Sequence, residues 1–548
     1  MRCVSGQAVA DREGPSADGR RARRPPKRRR PLPFLIHSLL GLKLCLFTLF
    51  VCATGTVAVV SDDVEWLFQP MVRASATDRT VGWGSRYAAV REARPDHTID
   101  FAVVGEEPYL ATRFLTTNPA GETRIVYVDP ATGRVTGESG WITFPSVVRA
   151  LHYYLFLPGD WGFYAVTALG FVLTGSLISG LLTYKKFWRG LLRMPRMGRG
   201  SRVLWGDLHR QVGLWSAWFV FLIAMTSLWY LGERLLARTG LDFETPRTII
   251  GAAALDALGP EPPRHRPLDA LVDVAMAGLP DLELREIWFP ARPEEPLFLR
   301  GQATAWLVRD RTNGVELNPY TGEVLAVHRA EAMPTVERWV HTADPLHFGD
   351  FGGLASKLVW VAFGLAMSFS TASGAVIFLK RTTQAVHPHA LGPGPGTGRC
   401  GGRLRFLGRW KWPNLVVITL VPAAAYAMHW APSFAPQPAD SLILGPSPIG
   451  PWQTTVRAGT PWPPVPGGTT TWSVRFCDGC YWEIRSAGLG ISGPDLPPSQ
   501  LAPLVGGANT ASARVPVPEM RPGEIPHLWL NVVGWDGRSH AVSWALPR

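Results

Sequence analysis

Charged side chains are scarce in this chain. Asp, Glu, Lys and Arg make up 18% of its 548 residues, against about a quarter in soluble globular domains. Cysteine is scarcer still, at six, which excludes a small fold stapled by many disulfides. No dinucleotide fingerprint is present. The glycines at 392–402, in G-P-G-P-G-T-G-R-C-G-G, follow no strand and are broken by proline. They read as a flexible loop, so a nicotinamide or flavin site is not expected. Ionisable residues are also few within the apolar runs, with Glu233 and Arg234 at the end of one. A transporter with a proton relay needs more.

Apolar length and tryptophan are what the chain does have. Hydrophobic residues reach 46%, and there are 23 Trp, the residue that anchors helices at membrane interfaces. Five runs approach the roughly 20 residues needed to cross a bilayer. They lie at about 32–60, 160–184, 208–231, 352–379 and 413–430. The net charge of +12 concentrates at 20–30 and 185–210, beside those runs. The positive-inside rule accounts for it, and nucleic acid is not expected as a partner.

These runs give an expected order. A disordered basic cytoplasmic tail occupies 1–31, and a first span 32–60. The R-R-A-R-R in the tail could also suggest a twin-arginine signal, but the run after it is too long and lacks an A-x-A site. An outer domain at 61–143 precedes two spans joined by a basic cytoplasmic loop, 144–231, and a second outer domain follows at 232–335. A fourth span with its approach fills 336–381, a cytoplasmic Gly/Pro loop 382–411, a fifth span 412–431, and an outer β-rich domain 432–548. The C-terminal domain announces itself by alternating stretches such as T-T-W-S-V-R-F, and by a W-D-G-R hairpin turn. The N-terminus is expected in the cytoplasm and the C-terminal domain outside, with lipid as a partner.

The two outer domains look like copies of one unit. The first ends in R-I-V-Y-V-D-P-A-T-G-R-V-T-G, a strand, turn and strand. The second contains V-E-L-N-P-Y-T-G-E-V-L-A-V, the same pattern.

Histidines sort by predicted depth. His37 and His209 lie at cytoplasmic ends of spans, His152 and His347 at outer approaches. Imidazoles from two helices can take both axial positions of a haem iron. Gly41 and Gly213 each follow a histidine by four, a same-face offset that gives a porphyrin close access. A lone interfacial histidine is commonly just a hydrogen-bonded boundary residue. His341 and His429 are unassigned, and either could replace a named outer ligand, His341 being the alternative carried forward.

Several segments together resemble the PepSY-associated transmembrane (PepSY_TM) family. They are L-H-R-Q-V-G-L-W, the paired D-P-x-T-G-x-V and N-P-x-T-G-x-V turns, L-H-x-G-D-x-G-G and T-A-S-G-A-V-I-F-L-K-R, within about 32–382. The first-span motif departs from the family, reading I-H-S-L-L-G without the usual Arg. The resemblance implies about five transmembrane helices, two periplasmic α+β PepSY-like domains and, beyond it, the C-terminal β-rich domain. It also implies two b-type haems, their irons held by His37 with His209 and His152 with His347. The implied activity is electron transfer from a quinol or cytoplasmic reductase to a periplasmic acceptor such as a ferric siderophore, in iron uptake. Catalytic residues in the stricter sense are not implied. The competing reading is a non-enzymatic membrane scaffold whose PepSY domains bind a peptide or peptidase.

Cys477-Asp-Gly-Cys480 is the only close cysteine pair. It reads as a local disulfide across a hairpin turn, or as a redox-active dithiol. No thioredoxin-like pattern surrounds it, and a zinc site lacks two further ligands.

Overall fold

In lipid a backbone must satisfy its own hydrogen bonds, so apolar runs fold as helices. The computed structural model describes residues 31–384 and 442–547, apart from short loop stretches inside those limits. The expected fifth span, the Gly/Pro loop and His429 lie outside the described residues.

The first apolar run forms α1 (Leu32–Lys43) and α2 (Cys45–Val59), bent by 66° where Leu44 leaves helical geometry. A short α3 (Ser61–Phe68) follows, and α4 (Trp83–Ala93) lies on a sheet. The amphipathic α5 (Phe144–Tyr154) starts at a capping box formed by Thr143 and Ser146. Next come α6 (Trp161–Thr167) and α7 (Leu169–Thr183), then α8 (Ser201–Trp215) and α9 (Ala217–Ala237). A one-turn α10 (Ala252–Asp256) and α11 (Leu268–Gly278) precede α12 (Thr335–Phe348) and the long α13 (Gly353–Gln384). Among the described residues, three stretches are long and apolar enough to cross a membrane: Trp161–Thr183, Ala217–Ala237 and Gly353–Lys380. The bent pair α1–α2 makes a fourth. The third begins later than the expected Leu208, because the chain breaks at Ser216 and α8 is a separate amphipathic helix. In the bundle α1 and α9 pack on α7, while α2 and α8 pack on α13.

At one end of the bundle lies a single eight-stranded antiparallel sheet. Its first half is β1 (Thr98–Val103), β2 (Thr112–Thr117), β3 (Thr123–Val128) and β4 (Val135–Gly140). Its second is β5 (Glu283–Trp288), β6 (Leu297–Gln302), β7 (Asn313–Leu317) and β8 (Val324–His328). The spatial order is β4-β3-β2-β1-β5-β6-β7-β8, so the two repeat units meet edge to edge. At the seam Phe101 faces Trp288, with rings stacked at 4.6 Å. Each half buries its own helix: Val90 of α4 against Phe114 and Val126, and Ala275 of α11 against Ile287 and Leu299. The repeated turns also match. Asp129 accepts from the Ala131 N–H and Asn318 from the Tyr320 N–H, and each turn closes on a glycine at positive φ, Gly133 (70°) and Gly322 (78°).

The C-terminal part is a sandwich of two antiparallel sheets, expected from its alternating stretches. One contains β9 (Ile443–Ile449), β10 (Trp452–Ala458), β11 (Thr469–Phe476), β14 (Val505–Gly506) and β15 (Thr510–Pro516). The other contains β12 (Ile484–Ser492), β13 (Ala502–Pro503), β16 (His527–Gly534) and β17 (Ser539–Ala545). Trp472, Phe476, Leu489 and Leu530 fill the space between them. The W-D-G-R segment does join β16 to β17 as a hairpin. The cysteine pair does not close one. Cys477 and Cys480 form a disulfide, but β11 before them and β12 after them belong to different sheets, so the chain crosses there instead of turning back. The sandwich docks on the second sheet half, where Trp535 is buried with Ile250, Leu255 and Tyr320.

Candidate functional site

The bundle holds two pairs of histidines, one at each end. At the end away from the sheet, His37 of α1 and His209 of α8 bring their ring centres within 6.1 Å, inclined at 64°. At the sheet end, His152 of α5 and His347 of α12 line one cavity of about 510 Å³. The alternative ligand His341 sits buried on α12, its carbonyl accepting from the Arg309 N–H, and is not among the cavity's lining residues.

All four rings are held in the same way. His37 Nδ1 lies 2.9 Å from the Ser176 carbonyl of α7, and His209 Nδ1 lies 3.0 Å from the Ser370 carbonyl of α13. His152 Nδ1 lies 3.1 Å from the Val51 carbonyl of α2, and His347 Nδ1 lies 2.7 Å from the Thr226 hydroxyl of α9. An N–H donated from Nδ1 to an oxygen fixes the tautomer and leaves the Nε2 lone pair for a metal. Burial pushes His152 down to about 4 and His347 to about 3, the latter helped by its neighbour His152. The sheet-end rings are therefore neutral at physiological pH, the form that coordinates.

Glycine shapes the space around the rings. A Cβ on Gly55 would come 2.7 Å from the His152 ring, one on Gly180 3.2 Å from His37, and one on Gly374 3.4 Å from His209. Gly41 and Gly213, the glycines that the sequence offered for porphyrin access, stand clear of both rings.

The structure also reveals a repeat that the sequence reading passed over. Ser176-x-x-Ser179-Gly180 on α7 matches Ser370-x-x-Ser373-Gly374 on α13, and each supplies the carbonyl, the hydroxyl and the glycine beside a far-end histidine. Thr54 and Thr226 match too, each on the helix continuing from a far-end histidine and each touching a sheet-end one. The duplication thus runs through the helices as well as the strands.

Beyond the rings the cavity is graded. Val51, Leu169, Leu173, Phe219, Ile223 and Met367 line its helical part, whereas charged groups from the sheet and its loops line the opposite part. One of them, Asp350, is pushed up to about 7, first by burial and then by Glu106 and Asp310. The folded state keeps a proton that the unfolded chain, with an ordinary carboxyl near 4, releases. Stability therefore declines as pH rises from about 4 towards 7. Asp350→Asn is expected to raise the melting temperature more at pH 8 than at pH 4; equal shifts would contradict this.

Comparison with known proteins bears on residues 34–381, which match the family model for the PepSY-associated TM region. The match takes in both histidine pairs, the bundle and the eight-stranded sheet. The chain belongs to this family and is a membrane protein. Residues 406–547 match a second model, described only as an uncharacterised conserved protein. The uncharacterized protein PA4219 of Pseudomonas aeruginosa is 34% identical over 130 residues, 23% of this chain and 31% of that one. This chain therefore covers about a third of that relative's length.

Proposed function

We propose that the chain is a di-haem electron-transfer protein, with one b-type haem between His37 and His209 and a second between His152 and His347. The observation that carries this reading is the shared anchoring of four imidazoles, each bound through Nδ1 to a neighbouring helix and arranged in two pairs. Spacing supports it. Two imidazoles holding one metal ion through nitrogens at about 2 Å would have ring centres about 6 Å apart, and the far-end pair stands at 6.1 Å. The single C-x-x-C is not followed by His, so covalent attachment of the c type is not expected.

When bound, each haem iron accepts and returns one electron. The protein's own contribution is to fix the four imidazoles, keep the sheet-end pair neutral and line the sheet-end site with apolar side chains. In this reading the far-end site faces the cytoplasm and receives electrons from a quinol or a cytoplasmic reductase. The sheet-end site delivers them to a periplasmic acceptor. A ferric siderophore suits that role, because hard oxygen ligands hold Fe(III) far better than Fe(II).

The test is an absorption spectrum of the purified protein before and after dithionite. Two b-type haems per chain are expected. A colourless protein that cannot be loaded with haem rejects the reading. Gly55→Leu is expected to cost the sheet-end haem alone, because the new side chain occupies the place of the His152 ring. Haem content should then fall from two to one per chain.

A further inference from the structure

The charged part of the sheet-end cavity has a function of its own. Among its lining residues, Glu106 pairs with Lys357 at 2.7 Å, and Glu286 pairs with Arg300 at 3.3 Å. Asp344 is matched by Arg309 at 2.6 Å and by the Tyr230 hydroxyl at 2.9 Å. Asp62, just behind the wall, is shared by two guanidinium groups, Arg113 and Arg149. One carboxylate bridges two arginines, and Glu106 and Glu65 act on them only through space. Arg285 of β5 lines the cavity too. Its ion pair is to the exposed Glu283 at 3.0 Å, and its Nε is buried without a hydrogen-bond partner. Asp310 acts on Arg285 only through space, and burial pushes its carboxyl up, towards the neutral form. Asp350 is raised in the same way. The cavity therefore has an apolar body, two histidines, and two guanidinium groups with unmet capacity on the sheet side.

That is the polarity profile of a flat apolar ring carrying two carboxylates on one edge. We infer that Arg149 and Arg285 bind the two propionate carboxylates of the sheet-end haem, turning its propionate edge towards the sheet. Arg149 stands one turn before His152 on α5, so iron ligand and carboxylate partner share one helix face. The second repeat has Asp344 at the matching place, one turn before His347, and that acid is already paired. The duplicated unit has diverged there, which gives the site one basic side and one neutralised side. A guanidinium beside a carboxylate offsets its negative charge and can hold it by two parallel hydrogen bonds. Removing it leaves negative charge near the iron and favours the ferric state.

This inference rests on the di-haem reading, and its test separates the two. Arg149→Gln and Arg285→Gln are each titrated spectroelectrochemically in the full-length protein. Each is expected to retain two haems and to move one midpoint potential downwards while the other stays fixed, and Arg285→Lys to restore most of the shift. Arg285→Gln keeps the test open if Arg149→Gln fails to fold, since the ion-pair partner of Arg285 is exposed. The same substitutions should speed release of the sheet-end haem to apomyoglobin, but not of haem dimethyl ester, which has no free carboxylates for a guanidinium to hold. Two haems with unmoved potentials in the variants, or equal acceleration of release for haem and its ester, overturn the inference alone. A protein without haem overturns both readings.

Discussion

On the di-haem reading, His209→Ala is expected to halve the haem content of the purified protein, from two per chain to one. His209 and His37 form a pair at 6.1 Å, each fixed by a serine carbonyl on a different helix. An iron held by two imidazoles loses one side of its coordination when either is removed, so His37→Ala should have the same effect. The double variant should lose no more than either single one, because both changes act on one iron. Combining His209→Ala with His152→Ala should remove both haems. His341→Ala is the control and should keep two, since that ring lies off the cavity wall. Retention of two low-spin haems by His209→Ala would refute the far-end assignment, and so would additive loss in the His37/His209 double variant.

Lys357→Met is expected to destabilise the folded protein by about 3–5 kcal/mol, the usual cost of removing one partner from a buried charge cluster. Lys357 is 1% exposed at the start of α13. Its ammonium lies 2.7 Å from Glu106, 3.4 Å from Glu107 and 3.7 Å from Asp63. Those three carboxylates come from α3 and from the loop after β1, so this one cation ties the bundle to the sheet. Without it, the largely shielded Asp63 and Glu107 are left beside the more exposed Glu106 with no cation among them. Denaturation of detergent-solubilised protein should show the loss, and replacing Glu106 with Gln in the same chain should recover part of it. A Lys357→Met protein as stable as the parent would show that water reaches Asp63 and Glu107 as well as Glu106. Haem content near neutral pH should respond far less than it does to His209→Ala.

Much of this was legible from the residues. The four histidines stood out because they fall at the ends of apolar runs, and the D-P-A-T-G and N-P-Y-T-G turns betrayed the duplication. The partners of the rings were harder to see. Three of the four are main-chain carbonyls, which no side chain advertises. Ser176, Ser179, Ser370 and Ser373 pass in an apolar run as small residues tolerated by helix packing, and only contact with a ring gives them meaning. Third-span limits were misplaced because hydropathy does not register the break at Ser216, where α8 gives way to α9. The joining of β1 to β5 was invisible for another reason. Nothing local to either strand says that each has the other as its neighbour. The disulfide was foreseen but its setting was not, since strands that pair and strands that part have the same alternation.

That junction between β1 and β5 bears on how the molecule could be taken apart. Phe101, Ala102 and Val103 run antiparallel to Trp288, Ile287 and Glu286, as two equivalent units would meet across a twofold axis. Severing the chain in the basic loop between α7 and α8 would cut no strand. Each fragment, made separately, would carry a raw β-edge with its backbone groups unsatisfied. Mixed, the two fragments should find one another and rebuild the continuous sheet. Kept apart, each should self-associate through the same edge, so two identical halves would imitate the tandem arrangement that a single polypeptide achieves here.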